Sequence, residues 1–345
     1  MKLLCVIDKK YSATALILLG FLCCINIKAN SQDLHFSQFF NAPLIRNPSL
    51  AGIFTGDTRV QGVYRGQWNS VTDAYKTASL DAEFKRPVGK GDDFVTIGLQ
   101  TMYDRAGTVG WTTIQAMPAL NYHKSLSNEK NSYLSLGFMG GVVQNRIDRS
   151  KMTTNSSYDG LGDGEPNLQP QYTYIDGSVG MSYNASLNDN PDNNFFIGAA
   201  FHHFNRPKNS FYHDPKIELH PKWVYSAGVR FSVAETAYMT VLGDLSKQGS
   251  YTEVIGGLMY GLKLGEDYDN PDYVVHVGGF FRWQDAIIPT LKLDYHPFSL
   301  TFSYDVNTSP LKLSSYGRGG FEVAVSYIGF STRSSSLDAI RCPRF

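Results

Sequence analysis

The sequence has little cysteine: of four, Cys5, Cys23 and Cys24 fall within residues 1–31 and Cys342 lies near the other end. If residues 1–31 are removed on export, one thiol is left and an internal disulfide cannot form. Charge of one sign is also lacking, because 31 Lys and Arg meet 31 Asp and Glu. That balance excludes the basic excess that nucleic-acid phosphates demand, so no nucleic-acid partner is expected. After residue 31 no run stays apolar for the roughly 18 residues that a spanning helix needs. If the mature chain enters a membrane, it does so as strands. There is no Gly-x-Ser-x-Gly elbow, His-Glu-x-x-His pair, phosphate-binding loop or paired-cysteine framework. The expectation is a protein that is not an enzyme and holds no cofactor.

What the chain does have is a leader, aromatics and glycine. Lys2, Lys9 and Lys10 precede an apolar run over 13–27, and Ala29-Asn30-Ser31 offers small residues for cleavage, so residues 1–31 read as a secretory signal peptide. Leu22 before Cys23, and Cys23 before Cys24, are not the small residues that a lipidated cysteine wants. Residues 32–56, broken by Pro43 and Pro48, carry Phe36, Phe39, Phe40, Leu44 and Ile45 without a clean period. They read as a periplasmic or plug-like segment packed against something else. With 13% aromatics and 32 Gly, the remainder has the composition of a β-protein with interfacial rings and crowded, curved strands.

The period supports this. Phe298, Leu300, Phe302, Tyr304 and Val306 alternate with Ser299, Thr301, Ser303 and Asp305, which gives an extended strand one apolar and one polar face. Ala78, Leu80, Ala82 and Phe84 oppose Ser79, Asp81, Glu83 and Lys85 in the same way, and this second face reads as a wet, charge-balanced lumen. About fourteen such runs fill residues 57–330, each near the 9–11 residues that cross a bilayer when tilted. They include 58–68, 94–103, 109–123, 194–204, 298–307 and 321–330, and the last should close against the first. The long connections, 148–171, 205–221 and 308–320, all follow odd-numbered runs, whereas a soluble sandwich has no reason to sort its loops. The expected fold is all-β, a transmembrane antiparallel β-barrel of about 14 strands in the outer membrane. Its long loops should be extracellular and both termini periplasmic, including a tail over 331–345.

Sites of chemistry are few. His202, His203, His213 and His220 gather around one loop, but adjacent residues on a strand point to opposite faces, which excludes at least one from any cluster. The acidic run Asp159 to Glu165 puts Leu161 and Pro170 where a calcium loop needs ligands, so it reads as a turn-rich loop. No catalytic, cofactor or metal residue is expected.

The ends carry a more specific signal. Gln32-Asp-Leu-His-Phe-Ser-Gln-Phe-Phe-Asn41, Arg46-Asn-Pro-Ser-Leu-Ala-Gly52, Tyr64-Arg-Gly-Gln-Trp68 and Arg341-Cys-Pro-Arg-Phe345 resemble the PorP/SprF family of the Bacteroidetes type IX secretion system. The resemblance implies a non-enzymatic outer-membrane barrel seated in outer-membrane lipid. It also implies assistance in exporting or attaching large adhesins with a C-terminal sorting domain, gliding motility in some species, and contact with the periplasmic ring components of the secretion system. It offers Phe36, Ser37, Gln38, Asn47, Pro48, Gly52, Tyr64, Arg65, Trp68, Cys342, Pro343, Arg344 and Phe345 as partner-binding residues. The reading from the residues alone treats Asn47-Pro48 and Gly52 as a turn, Arg65 as a lumen charge and Trp68 as an interfacial aromatic. The competing function is a porin-like or fatty-acid-transporter-like channel for small solutes.

Overall fold

Alternating strands with one apolar face need that face covered, and here the sheet leaves it pointing outward all the way round. A computed structural model describes residues 33–67, 75–89, 92–127, 131–188, 190, 192–268, 271–309 and 318–330. The strands are β1 (Thr58–Gln67), β2 (Tyr75–Pro87), β3 (Phe94–Ala106), β4 (Trp111–Ser127), β5 (Ser132–Arg146), β6 (Gln171–Ser186) and β7 (Asn194–His202). They continue as β8 (Lys222–Ala234), β9 (Ala237–Gln248), β10 (Tyr251–Leu264), β11 (Tyr273–Arg282), β12 (Ala286–Tyr295), β13 (Phe298–Asn307) and β14 (Arg318–Gly329). Each pairs with its neighbours in sequence, and β14 pairs antiparallel with β1 from Thr58↔Gly329 to Gln67↔Gly320, closing a 14-stranded barrel. A closed sheet has no free edge and can sit in lipid with its backbone groups satisfied. Among the described residues no helix is long and apolar enough to cross a membrane.

Several strand boundaries differ from the sequence expectation by one to four residues. β3 extends past 103 because its hairpin with β4 is a tight turn with Gly107 and Gly110 both at positive φ, so pairing continues to Ala106↔Trp111, and β4 extends past 123 at its other end, where it pairs with β5 as far as Ser127↔Ser132. β7 stops at His202 because His203 takes a φ of 55°, which ends the ladder.

The side chains sort as the period requires. Phe298, Leu300 and Phe302 of β13 are about half exposed on the outer face, while Thr301, Ser303 and Asp305 are buried inside. Aromatics collect toward both rims of the outer face. Tyr273 stacks on Tyr295 and Phe298 meets Tyr327 at one, and Phe201, Trp223 and Tyr225 lie together toward the other. Between them runs an aliphatic band that includes Val277, Leu291, Leu300 and Val325. Such a band between aromatic girdles is the outer surface of a membrane barrel.

The connection between β2 and β3 is pinned by Asp93, which accepts from Tyr122 Oη at 2.6 Å, Lys124 Nζ at 2.9 Å and the Ser125 backbone N–H at 2.9 Å. The Tyr122 hydrogen bond, then that from Lys124, holds this carboxyl down at about 2 instead of 3.8. Because the folded value is the lower one, its stabilisation is present above about pH 4 and is lost as pH falls toward 2. A carbon-detected titration in micelles should show Asp93 ionised at pH 3. A midpoint near 3.8 would mean that the three bonds are absent.

Candidate functional site in the barrel lumen

Residues 34–57, upstream of β1, fill the barrel. Their local shape follows from proline: Pro43 opens a four-residue helix, Pro43–Arg46, and Pro48 opens a 3-10 turn, Pro48–Leu50, both at positions where a missing N–H costs nothing. Asn47 caps that turn, its Oδ1 accepting from the Ser49 N–H at 2.9 Å and from Ser49 Oγ at 2.8 Å.

The segment begins against a buried cluster of two arginines and two carboxylates. Glu322 accepts both the Ser37 and Gln38 backbone N–H groups at 2.7 Å, and faces Arg65 Nε at 3.3 Å. Asp305 Oδ2 accepts from Ser37 Oγ at 2.8 Å, Arg282 Nη2 at 2.7 Å and Arg65 Nη2 at 3.1 Å. Arg65 also donates to the His35 carbonyl at 2.6 Å, and Gln38 Nε2 reaches Ser303 Oγ at 2.9 Å. All four charged side chains are nearly inaccessible, which is tolerable because each charge meets an opposite one.

Farther along, Arg46 forms a two-bond pair with Asp244, and its guanidinium lies over Phe39 and Phe196. The Asn47–Ser49 turn then enters a furrow floored by Gly137, Gly180 and Gly198. Asn121 of β4 donates to the Ser49 and Ala51 carbonyls at 2.7 and 2.8 Å. Gly52, at φ 83°, gives its N–H to Glu83 at 2.7 Å, and Arg59 Nε meets the same carboxylate at 2.8 Å. Lys85 donates to the Phe54 carbonyl. Phe39, Leu50 and Ile53 pack with Phe196, Leu242, Met259 and Phe280 of the wall as an apolar core.

The charged face expected to be wet is therefore dry. Asp81, Glu83 and Lys85 are 1%, 0% and 2% exposed, because the segment supplies the partners that water would have supplied. The direction of travel is set by the same contacts. The residues Leu34 to Gln38 lie in the half of the barrel nearer the odd-numbered connections, held there by the Arg65 cluster, and the chain crosses the interior before β1 starts at the opposite rim.

Of the sequence-nominated residues, the structure brings Phe36, Ser37, Gln38, Asn47, Pro48, Gly52 and Arg65 together inside the barrel, all buried. Tyr64 faces outward and meets the Phe321 ring at 5.9 Å. Trp68, Cys342, Pro343, Arg344 and Phe345 lie outside the described residues. Sequence reasoning missed the wall partners Glu322, Arg282, Asp244 and Asn121. Their signal was a charged or amide side chain at an inward position of an alternating strand, which says that a partner exists but not which one.

Two smaller expectations resolve as well. His202 and His203 both turn inward, because the positive φ at His203 breaks the alternation: His202 Nδ1 lies 2.9 Å from Ser178 Oγ and His203 Nδ1 lies 2.7 Å from Asp176 Oδ2. In the acidic loop, Asp163 is taken by Arg149 in two bonds of 2.6 and 2.7 Å, which hold its carboxyl below the usual range. Ser135 Oγ sits 2.6 Å from His123 Nδ1, a nucleophile–base spacing, but both residues are fully buried beneath the Gly52 turn.

The family model described as type IX secretion system membrane protein PorP/SprF matches residues 28–327. No curated protein matches the chain. Among solved structures, the P. putida toluene transporter TodX is similar at 9% identity and a TM-score of 0.49, covering 85% of this chain and 95% of that one. A deltaS2 mutant of the TodX monoaromatic hydrocarbon channel is similar at 11% and 0.48, covering 83% and 93%. The translocator domain of autotransporter NalP from Neisseria meningitidis is similar at 9% and 0.41, covering 92% and 97%. At these values the likeness concerns the barrel and says nothing of what passes through it.

Proposed function

This chain belongs to the type IX secretion system membrane protein PorP/SprF family, and from that premise we propose a non-enzymatic outer-membrane barrel that assists export or surface attachment of large adhesins and contacts the periplasmic secretion machinery. The observation that supports this over a small-solute channel is the filled lumen. A channel needs a continuous wet path, whereas residues 34–57 bond to β1, β2, β4, β9, β11, β13 and β14 around the interior. In this reading the long connections 147–170 and 203–221 face the exterior, and the rim of short turns, where β1 starts and β14 ends, faces the periplasmic ring. Phe36, Ser37, Gln38, Asn47, Pro48, Gly52 and Arg65 serve partners indirectly, by fixing the segment. Tyr64, Trp68 and Cys342 to Phe345 remain as candidates for direct contact.

The test is deletion of the gene with complementation by the intact chain, reading adhesin at the cell surface by immunoblot of shaved cells. Surface adhesin should fall about tenfold or more and return on complementation, the scale at which a required component is distinguished from a modulating one. Normal surface adhesin after deletion overturns the proposal. Solute-selective conductance of the reconstituted barrel without a secretion defect would establish the channel reading in its place.

A further inference from the structure

Residues 331–345 continue from the end of β14 and lie outside the described residues. Their point of departure is fixed. Phe330 ends the described chain with its ring 5.7 Å from that of His296, and the Ile328 N–H donates to the Pro297 carbonyl at 3.0 Å. His296, Pro297 and Ile328 all line a cavity of about 150 Å³ at the rim where β1 starts. The tail therefore leaves the barrel at the edge of that cavity.

The cavity has an apolar side, made by Phe40 and Phe54 of the lumenal segment with Val274, Phe298 and Ile328 of the wall. Its charges offset one another: Arg59 meets Glu83, Lys292 meets Asp294 at 3.2 Å, and Arg230 is matched in sign by Asp272. An ion gains nothing by entering, so the apolar side decides what fits. Apolar cavities of roughly 150 Å³ accept one benzene ring, which is the scale of a phenylalanine side chain. Beside the mouth the rim is acidic. The connection from β10 to β11 carries Glu266, Asp267, Asp269 and Asp272 without a lysine or arginine, and Glu235 stands in the neighbouring β8–β9 turn. Glu235, Glu266, Asp267 and Asp272 are exposed. The tail has the complementary composition: Arg333, Arg341 and Arg344 outweigh Asp338, and Phe345 follows directly on the last arginine.

We propose that residues 331–345 dock on the barrel they belong to, with the Phe345 ring in this cavity and Arg341 and Arg344 against the carboxylates of the β10–β11 connection. Reach is ample, because a chain of about 15 residues extends to roughly 50 Å. A short tether also holds the ring at an effective concentration on the order of millimolar, so one buried ring and two solvent-screened ion pairs are enough to keep it seated. Seated in this way, Cys342 to Phe345 are withheld from a partner until that partner displaces them. The docking holds whether or not the secretion role does, since it rests on volume and charge at one rim.

The experiment uses the full-length protein purified from outer membranes, in which Cys342 is the one thiol left once residues 1–31 are removed. In an Asp272→Cys protein, mild oxidation with copper phenanthroline should join the new thiol to Cys342 about tenfold faster or more than in an Asp92→Cys protein. Asp92 stands on the same rim but across the barrel, in the β2–β3 connection. Adding Phe345→Ala should bring the two rates together, and in the otherwise unaltered chain the same substitution should speed maleimide labelling of Cys342 by about tenfold, the effect of losing one well-buried ring. Glu266→Cys serves if the Asp272→Cys protein does not fold. Equal cross-linking to both positions, or labelling of Cys342 that Phe345→Ala leaves unchanged, overturns the docking. A disulfide that joins two chains in place of one also overturns it and assigns the cavity to the tail of a second copy.

Discussion

Glu322→Ala should cost the barrel about 3–5 kcal/mol and open its lumen, the largest effect expected of any single substitution. Glu322 is fully buried, accepts two backbone N–H groups of the lumenal segment and balances Arg65. Removing it leaves two buried donors without their acceptor and takes from Arg65 one of its two carboxylates, leaving Asp305 to face both arginines. Breaking one side of a buried charge cluster carries a cost of about that size. Urea unfolding in lipid vesicles reads the stability. Planar-bilayer recording reads the lumen, where the intact protein should be closed and the variant should conduct. Glu322→Gln keeps one acceptor oxygen and should lie between them. A double-mutant cycle with Arg65→Met should return a coupling of about 0.5–3 kcal/mol. An alanine variant as stable and as closed as the parent would mean that the segment is held by something other than this cluster.

Gly180→Val and Gly137→Val should expel the Asn47–Ser49 turn. A β-carbon on Gly180 would lie 1.9 Å from Asn47 Oδ1, and one on Gly137 would lie 2.5 Å from the Pro48 carbonyl carbon and the Ser49 nitrogen. The second clash is with backbone and no rotamer change relieves it. Overpacking of this kind costs about 1–3 kcal/mol or more. Displacement should also bare Ser49, so a Ser49→Cys protein, unreactive to a membrane-impermeant maleimide in the parent background, should label in either valine background. Gly62→Ala is the control: its nearest neighbour is the Ser79 carbonyl at 3.8 Å, and it should leave stability and labelling unchanged. Equal labelling in all backgrounds would refute the furrow.

Much of this barrel is written in the period of two. Phe298 to Val306 and Ala78 to Lys85 declare their faces because lipid and lumen select opposite chemistries at successive residues. The pairing of β14 with β1 follows because a closed sheet must join its last strand to its first. Local alternation says nothing about what occupies the centre. Phe36, Ser37 and Gln38 could be marked by family resemblance, and Arg65 read as a lumen charge, but their joining through Glu322 spans 285 residues from Ser37 and leaves no trace in spacing. The direction in which residues 34–57 cross the barrel leaves no such trace either, since it is set by where Asp305 and Arg282 stand. His203 was misread because one positive φ cancels a rule that assumes the strand continues.

Arg65 and Glu322 face each other directly across the junction of β1 and β14. That junction is the last to form as the chain is made, because one of its strands is the first in sequence and the other is the last. The groups that seal it also hold Ser37 and Gln38, so the interior cannot be secured before the circle is complete. The contacts that hold Ser37 and Gln38 thus arrive late, a topology of high contact order in which folding is slow and the half-made sheet is exposed. Once made, the junction and the filling share a latch: parting β1 from β14 sideways releases the segment, and withdrawing the segment weakens the junction.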